Sequence, residues 1–253
     1  MTAIITGAAS GIGLAAARDL LAQGWTVYGV DRSERRLAET AATFATSEFH
    51  PCLCDLQDAD AIIATIAEIA EKAPKINALI ASAGLARLGP LATMKVDTFD
   101  AIFGVNVRGM WLCCREAYPL LQQATAAGEI ARVIILSSVS AIRPKIDSGA
   151  YAASKAAVSQ LTQVMAVEWA ADGILVNALA PGTVDTPMVR SATQNPETQG
   201  NWRPSGASPL GRIAQPEDVV RVMRFLLSED AAYVTGVVIP VDGGTRAAYV
   251  PPR

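Results

Sequence analysis

Ala3-Ile4-Ile5-Thr6-Gly7-Ala8-Ala9-Ser10-Gly11-Ile12-Gly13 opens the chain, and the architecture follows from reading it. The first four residues are a short apolar run suited to a buried strand. Three glycines spaced over seven positions follow, and Leu14 to Gln23 then has the pattern of a helix closed by Gly24. Strand, glycine turn and helix together make a phosphate cradle. Gly7, Gly11 and Gly13 let the backbone turn tightly and approach a pyrophosphate closely, while the N–H groups at the helix start favour its negative charge. Ser10 and Ile12 lie in the same turn. The next strand, Trp25 to Val30, ends in Asp31, at the distance where a carboxylate can accept from a ribose diol.

Further along, strands and helices alternate. Phe49–Cys54 reads as the third strand, Ala59–Ala73 as a helix and Ile76–Ala81 as the fourth strand. A long helix is expected from Asp97 through Gln123 with Gly104 and Gly109 inside it. Val133–Leu136 is the fifth strand, Tyr151–Ala171 a helix stopped by Gly173, and Ile174–Leu179 the sixth strand. Pro216–Leu227 is a helix and Val237–Val241 a last strand. Apolar strands separated by helices predict one α/β domain over residues 1–253, a Rossmann-like, doubly wound parallel sheet of about seven strands covered on both faces. Such sheets bind ligands at the carboxyl ends of their strands. Gly7, Asp31, Asp55, Gly84, Ser138 and Pro181 all fall there.

Ser138, Tyr151 and Lys155 carry the chemistry. Tyr151 and Lys155 stand four apart, so on a helix they share a face. A free tyrosine has a pKa of about 10, and a cation held nearby favours the phenolate. That moves a phenol toward the range where general acid–base work is efficient. A hydroxyl from Ser138, at a separate strand end, is positioned to polarise a substrate oxygen. Ser137 is the alternative hydroxyl, with the offset to Tyr151 favouring Ser138.

Taken in order, Thr6 to Gly13, Asp55-Leu56, Val105-Asn106-Val107, Ser137-Ser138, Tyr151 to Lys155, Pro181 to Thr186 and Val241 to Gly244 resemble the short-chain dehydrogenase/reductase family in its branch of about 250 residues. The resemblance implies an NAD(P)-dependent oxidoreductase interconverting a secondary alcohol and a ketone. By the same resemblance Tyr151 is the general acid/base, Lys155 lowers its pKa and bonds the nicotinamide ribose, Ser138 holds the substrate oxygen, and Asn106 holds a water that relays protons. It also implies that Asp55 and Leu56 contact the adenine, that Ala81, Ala83, Gly84, Pro181 and Gly182 flank the cofactor, and that Val184 and Thr186 bind its carboxamide end. The family's usual Asn-Asn-Ala-Gly after the fourth strand is Ala81-Ser82-Ala83-Gly84 here, so hydrogen bonds made there by two amides must come from backbone, Ser82 or water.

Asp31 favours NAD over NADP, because a carboxylate repels an added ribose phosphate; Arg32, whose guanidinium can pair with that phosphate, pulls the other way. Residues 183–212 are expected to form a loop that covers the substrate, carrying Met188 and Trp202, with Arg143 and Lys145 on the opposite wall as candidate contacts for an acidic substrate.

With 51% hydrophobic residues the chain is able to build a large core, and a net charge of −3 gives no sign of a nucleic-acid surface. No apolar stretch reaches the ~18 residues of a membrane span, and no signal peptide is read at the N-terminus. Cys52, Cys54, Cys113 and Cys114 lack zinc spacing and are read as reduced core residues of a cytoplasmic protein that holds no metal. The family resemblance adds a homotetramer. The competing readings are an NADPH-dependent 3-oxoacyl-carrier reductase and a nucleotide-sensing protein without catalysis; a methyl transferase shares the glycine turn but has no use for Ser138, Tyr151 and Lys155.

Overall fold

Ile4 packs into one hydrophobic cluster while its neighbours Ala3 and Ile5 pack into another, and all three are fully buried. A strand that alternates faces yet exposes neither must lie inside a sheet covered on both sides. The computed structural model, which describes residues 1–194 and 207–248, shows that sheet. Its strands are β1 (Thr2–Thr6), β2 (Thr26–Asp31), β3 (Phe49–Leu53), β4 (Ala78–Ala81), β5 (Ala131–Leu136), β6 (Ile174–Pro181) and β7 (Val238–Val241). They run in the order β3-β2-β1-β4-β5-β6-β7, and every pairing is parallel. Pro51, which cannot donate to a ladder, sits in β3 at the sheet's edge, where that loss is tolerated.

Helices α1 (Gly11–Ala22), α2 (Glu34–Phe44) and α8 (Pro216–Leu227) cover one face, contributing Leu20, Phe44 and Met223 to its core. Helices α3 (Ala59–Lys72), α5 (Met110–Ala126) and α6 (Gly149–Trp169) cover the other with Ile66, Leu121 and Met165. The chain reverses direction across the sheet between β1 and β4, and the crevice at their carboxyl ends is the binding position of a doubly wound fold.

The long helix expected over 97–123 is α4 (Val96–Phe103) running into α5 through a π-helical turn, Gly104–Gly109. Such turns re-aim side chains and concentrate at functional sites. This one buries Asn106. At Gly109 a side chain would run into the Leu56 carbonyl, so only glycine lets α5 lie against the Asp55-Leu56 loop.

Two elements go beyond the sequence reading. α2 fills the connection between β2 and β3, capped by Ser33, with Leu37, Ala41 and Phe44 as its apolar stripe. The segment expected as a loop over 183–212 begins as a helix, α7 (Pro187–Gln194). Pro187 stands at its first position, where a missing N–H costs nothing, and the Thr186 hydroxyl accepts from Val189 N at 3.4 Å. Trp202 lies outside the described residues. Among the described residues no helix is long and apolar enough to cross a membrane.

Candidate active site

A cleft opens at the switch between β1 and β4. Gly7, Ser10, Gly11 and Ile12 line it from the first turn, Asp31 and Arg32 from the end of β2, and Asp55 and Leu56 from the loop after β3. Gly7 takes φ +71°, and a Cβ there would stand 2.9 Å from the Ala83 Cα, so the turn and the end of β4 meet backbone to backbone. The Asp31 carboxylate accepts from Ala9 N at 3.2 Å and Ser33 N at 3.0 Å. Those two bonds fix its direction while leaving acceptor capacity for a diol. Ala83 N donates to Thr6 Oγ1 at 3.1 Å. That hydroxyl and the backbone supply a bond in the region where the family's amide side chains are replaced.

At its other end the cleft runs past Ser82, Ala83, Gly84 and Leu85 to Thr186 and Met188 of the α7 entry. A Cβ on Gly84 would lie 3.5 Å from Asn106 Oδ1, 3.6 Å from Lys155 Nζ and 3.8 Å from Met188 Cε. One point in the cleft therefore touches three of the residues singled out by sequence. Asn106 is buried, and its amide is a clamp. Oδ1 accepts from Leu85 N at 2.7 Å, and Nδ2 donates to Leu85 O at 3.0 Å and to Ser154 Oγ at 2.9 Å.

Tyr151 lies in the first turn of α6 and Lys155 one turn on, as their spacing requires. The Ser138 side chain acts on the Tyr151 phenol, favouring its ionised form, and its Oγ accepts from Ser140 N at 3.1 Å. Ser137 points elsewhere: its hydroxyl donates to Lys155 O and lies 2.7 Å from Ser159 Oγ. Of the two serines, geometry pairs Ser138 with the phenol. Lys155 is buried, with Nζ donating to Leu136 O at 2.6 Å and standing 5.9 Å from the centre of the Tyr151 ring.

The electrostatics differ from the expectation of a phenol made more acidic. Burial raises the Tyr151 pKa above its ordinary value, and the Ser138 hydrogen bond offsets only part of this. Burial also lowers Lys155 to about 8. Desolvation disfavours both charged forms, and Nζ turned toward the Leu136 carbonyl does not reverse it. The phenol holds its proton at neutral pH, beside an amine that titrates near pH 8.

Several expected residues stand behind the cleft rather than on it. Ala81 is buried within β4. Gly13 packs under the Gly7 carbonyl, Gly182 sits against Asp242, and Val184 belongs to the core and bridges to Ala214. Pro181 ends β6 and is buried. Arg143 Nη1 donates to Thr245 O, which ties the guanidinium to the C-terminal turn. Burial lowers the Lys145 ammonium. The structure adds Arg36, Leu85, Arg87 and Ser191 to the cleft lining and Ser154 as a partner of Asn106. Nothing in the sequence reading marked these residues.

Among the described residues no group of three His, Cys, Asp or Glu is placed to hold a metal. Burial raises the thiols of Cys52, to about 11, and Cys114, to about 12, and holds Cys113 well above its ordinary value, so they are poor ligands and nucleophiles. The cleft itself suits an elongated dinucleotide: an acid for a ribose diol at one end, a glycine turn that opens α1, and Thr186 at the other, with Lys155 Nζ close behind Gly84.

Residues 7–246 match a family described as enoyl-(acyl carrier protein) reductase. Over 242 residues the chain is 38% identical to galactitol 2-dehydrogenase (L-tagatose-forming) of Cereibacter sphaeroides, covering 96% of this chain and 93% of the relative. The crystal structure of 3-ketoacyl-(acyl-carrier-protein) reductase from Brucella melitensis complexed with NADH superposes with a TM-score of 0.87 at 29% identity, covering 97% of this chain and 98% of that one. A structure described as a short chain dehydrogenase/reductase family protein gives a TM-score of 0.83 at 31% identity, with 98% of each chain covered.

Proposed function

The chain belongs to the short-chain dehydrogenase/reductase family, and we propose that within it this protein is an NAD-dependent oxidoreductase that interconverts a secondary alcohol and a ketone. One observation carries the reading: the Ser138 hydroxyl acts on the Tyr151 phenol, and Lys155, one helical turn on, brings Nζ close behind Gly84 at the end of a dinucleotide-shaped cleft. When bound, the nicotinamide supplies the hydride acceptor for alcohol oxidation or the hydride donor for ketone reduction. Ser138 holds the substrate oxygen, a contact that strengthens as negative charge grows there. Tyr151 Oη gives its proton to that oxygen in reduction and takes one from the hydroxyl in oxidation. Because burial keeps the phenol protonated at neutral pH, reduction is favoured there and oxidation calls for alkaline conditions. Lys155, at about 8, returns or accepts the proton behind the tyrosine. Asn106 holds the Gly84-Leu85 segment beside Lys155, where a water can complete the path to solvent.

Asp31 sets the cofactor preference through its fixed carboxylate, against Arg32 and Arg36 at the same end. The galactitol relative supports a polyol or other secondary alcohol as substrate. α7, with Met188, covers the substrate, and the assembly is a homotetramer. The second reading, a 3-oxoacyl-carrier reductase, is favoured by the Brucella melitensis likeness. A panel of secondary alcohols and polyols with NAD at alkaline pH, with NADP in parallel and Tyr151→Phe as control, tests both. NADH formation that Tyr151→Phe abolishes supports the proposal. Turnover confined to 3-oxoacyl thioesters with NADPH supports the alternative, and near-normal rates in Tyr151→Phe remove the tyrosine from the chemistry.

A further inference from the structure

Arg143 lies five residues past Ser138, on the loop leading to Tyr151, and its side chain crosses to the C-terminal turn. That turn is knitted together by Asp242. Its carboxylate accepts from Gly244 N at 3.0 Å and Arg246 N at 2.6 Å, and its carbonyl accepts from Thr245 N at 3.1 Å and Thr245 Oγ1 at 2.8 Å. The Thr245 carbonyl faces away from this knot and takes the Arg143 guanidinium. On its other side the turn touches the segment returning from α7. Gly243 takes φ +59°, and a Cβ there would lie 2.8 Å from Ser208 Cβ; one on Gly244 would lie 3.4 Å from Pro209 Cγ. Ser208 is itself folded back, with N and Oγ donating to Arg212 O at 3.0 and 2.9 Å, and Arg212 Nη2 pairs with Asp218 Oδ1 of α8 at 2.9 Å.

The Ser138–Ser148 loop is fixed at both ends. Ser138 Oγ accepts from Ser140 N and its carbonyl from Ala141 N, and Asp147 O accepts from Gly89 N at 2.8 Å. Between those ends, Ile142 and Ile146 are exposed, so packing supplies little restraint. Backbone bonds hold the loop locally, Arg143 N donating to Val139 O at 2.9 Å and Ser148 N and Oγ to Lys145 O, and the Arg143 guanidinium adds a contact that leaves the loop for the C-terminal turn.

We propose that Arg143 is a positioning residue: it tethers the middle of the Ser138–Ser148 loop to the Asp242–Ala248 turn and so fixes the wall against which the substrate's carbon substituents lie. This rests on the reading of Ser138 and Tyr151 as the substrate-facing groups. The guanidinium acts through the loop and touches neither reacting atoms nor cofactor. Losing it weakens substrate binding in ground and transition state alike, which raises KM while leaving kcat.

Arg143→Met keeps the apolar stem and removes the donor, while Arg143→Lys keeps a donor. With an alcohol from the activity panel, Arg143→Met is expected to raise KM about tenfold with kcat within about twofold and NADH affinity, read by nucleotide fluorescence, unchanged. Arg143→Lys recovers most of the loss. Gly243→Ala, which disturbs the same turn at its Ser208 contact, raises KM too, and the double variant is no worse than the poorer single one. An unchanged KM in Arg143→Met, a fall in kcat alone, or multiplicative effects of the two substitutions would each overturn the proposal. Tyr151→Phe separates the failures: a dead Tyr151→Phe beside an unaffected Arg143→Met sinks the tether alone, whereas an active Tyr151→Phe sinks the reading beneath it.

Discussion

Replacing Asn106 by Ala distinguishes two jobs for one amide. If the side chain only holds a water beside Lys155, its removal slows turnover and leaves the fold alone. The structure shows instead an amide with both its hydrogens and its oxygen committed to protein: Leu85 N, Leu85 O and Ser154 Oγ, all within 3.0 Å. Each such bond contributes about 1 kcal/mol net, so three sum to about 3 kcal/mol. For a chain of this size each kcal/mol is worth about 2–4 °C in Tm, which predicts a fall of about 6–12 °C. Leu85 also lines the cleft next to Gly84, so loosening it weakens cofactor binding as well. Differential scanning fluorimetry with and without NADH, beside steady-state kinetics, reads both effects. A Tm within about 2 °C of the parent would refute the clamp. If turnover still collapsed in that case, the amide would be acting through solvent rather than through Leu85.

Asp31→Ala removes the carboxylate that repels a ribose phosphate while leaving Arg32 and Arg36 in place; the ratio of kcat/KM for NAD over NADP should fall by at least about tenfold, and an unchanged ratio would take Asp31 out of cofactor selection. Gly109→Ala drives a methyl group into the Leu56 carbonyl, so α5 or the Asp55-Leu56 loop must shift; the expected loss is about 1–3 kcal/mol in denaturant unfolding together with weaker NADH binding, and a neutral outcome would contradict the close approach. Lys155 has a folded pKa depressed to about 8 from 10.5, so between those values the unfolded chain holds more protons and stability rises with pH. Lys155→Met should therefore raise Tm at pH 7 while abolishing turnover, with the gain shrinking as pH climbs through 8 toward 10; a constant gain across that range would show that the amine is not desolvated. If the assembly uses the exposed apolar side chains Phe99, Trp111, Val164 and Val167, Val167→Glu should lower the mass seen by light scattering, and an unchanged mass would place the subunit contact elsewhere.

The local sequence carried as much as local physics allows. Glycines at 7, 11 and 13 between an apolar run and a helix predicted β1, the turn and α1, and spacing alone placed Tyr151 and Lys155 on one face of α6. Period and composition were enough because a strand buried on both faces has little freedom in what it contains. Segments whose apolar content is thin were harder: α2 offers only Leu37, Ala41 and Phe44, and α7 starts at a proline that reads equally well as a turn.

Direction and partnership belonged to the tertiary structure. The offset to Tyr151 favoured Ser138 over Ser137, but no spacing rule says that Ser137 turns to Lys155 O and Ser159, that Asn106 clamps Leu85, or that Arg143 Nη1 reaches Thr245 O. The sequence suggested a tyrosine acidified by its lysine, whereas burial of both raised the phenol and lowered the amine. Periodicity is a property of neighbours along the chain, and the sequence alone determined what depends on it: the elements, their order and the identity of the reactive groups. Desolvation and hydrogen-bond partners are set by atoms brought from distant segments, so charge state and orientation were decided only when the sheet and its covering helices closed around them.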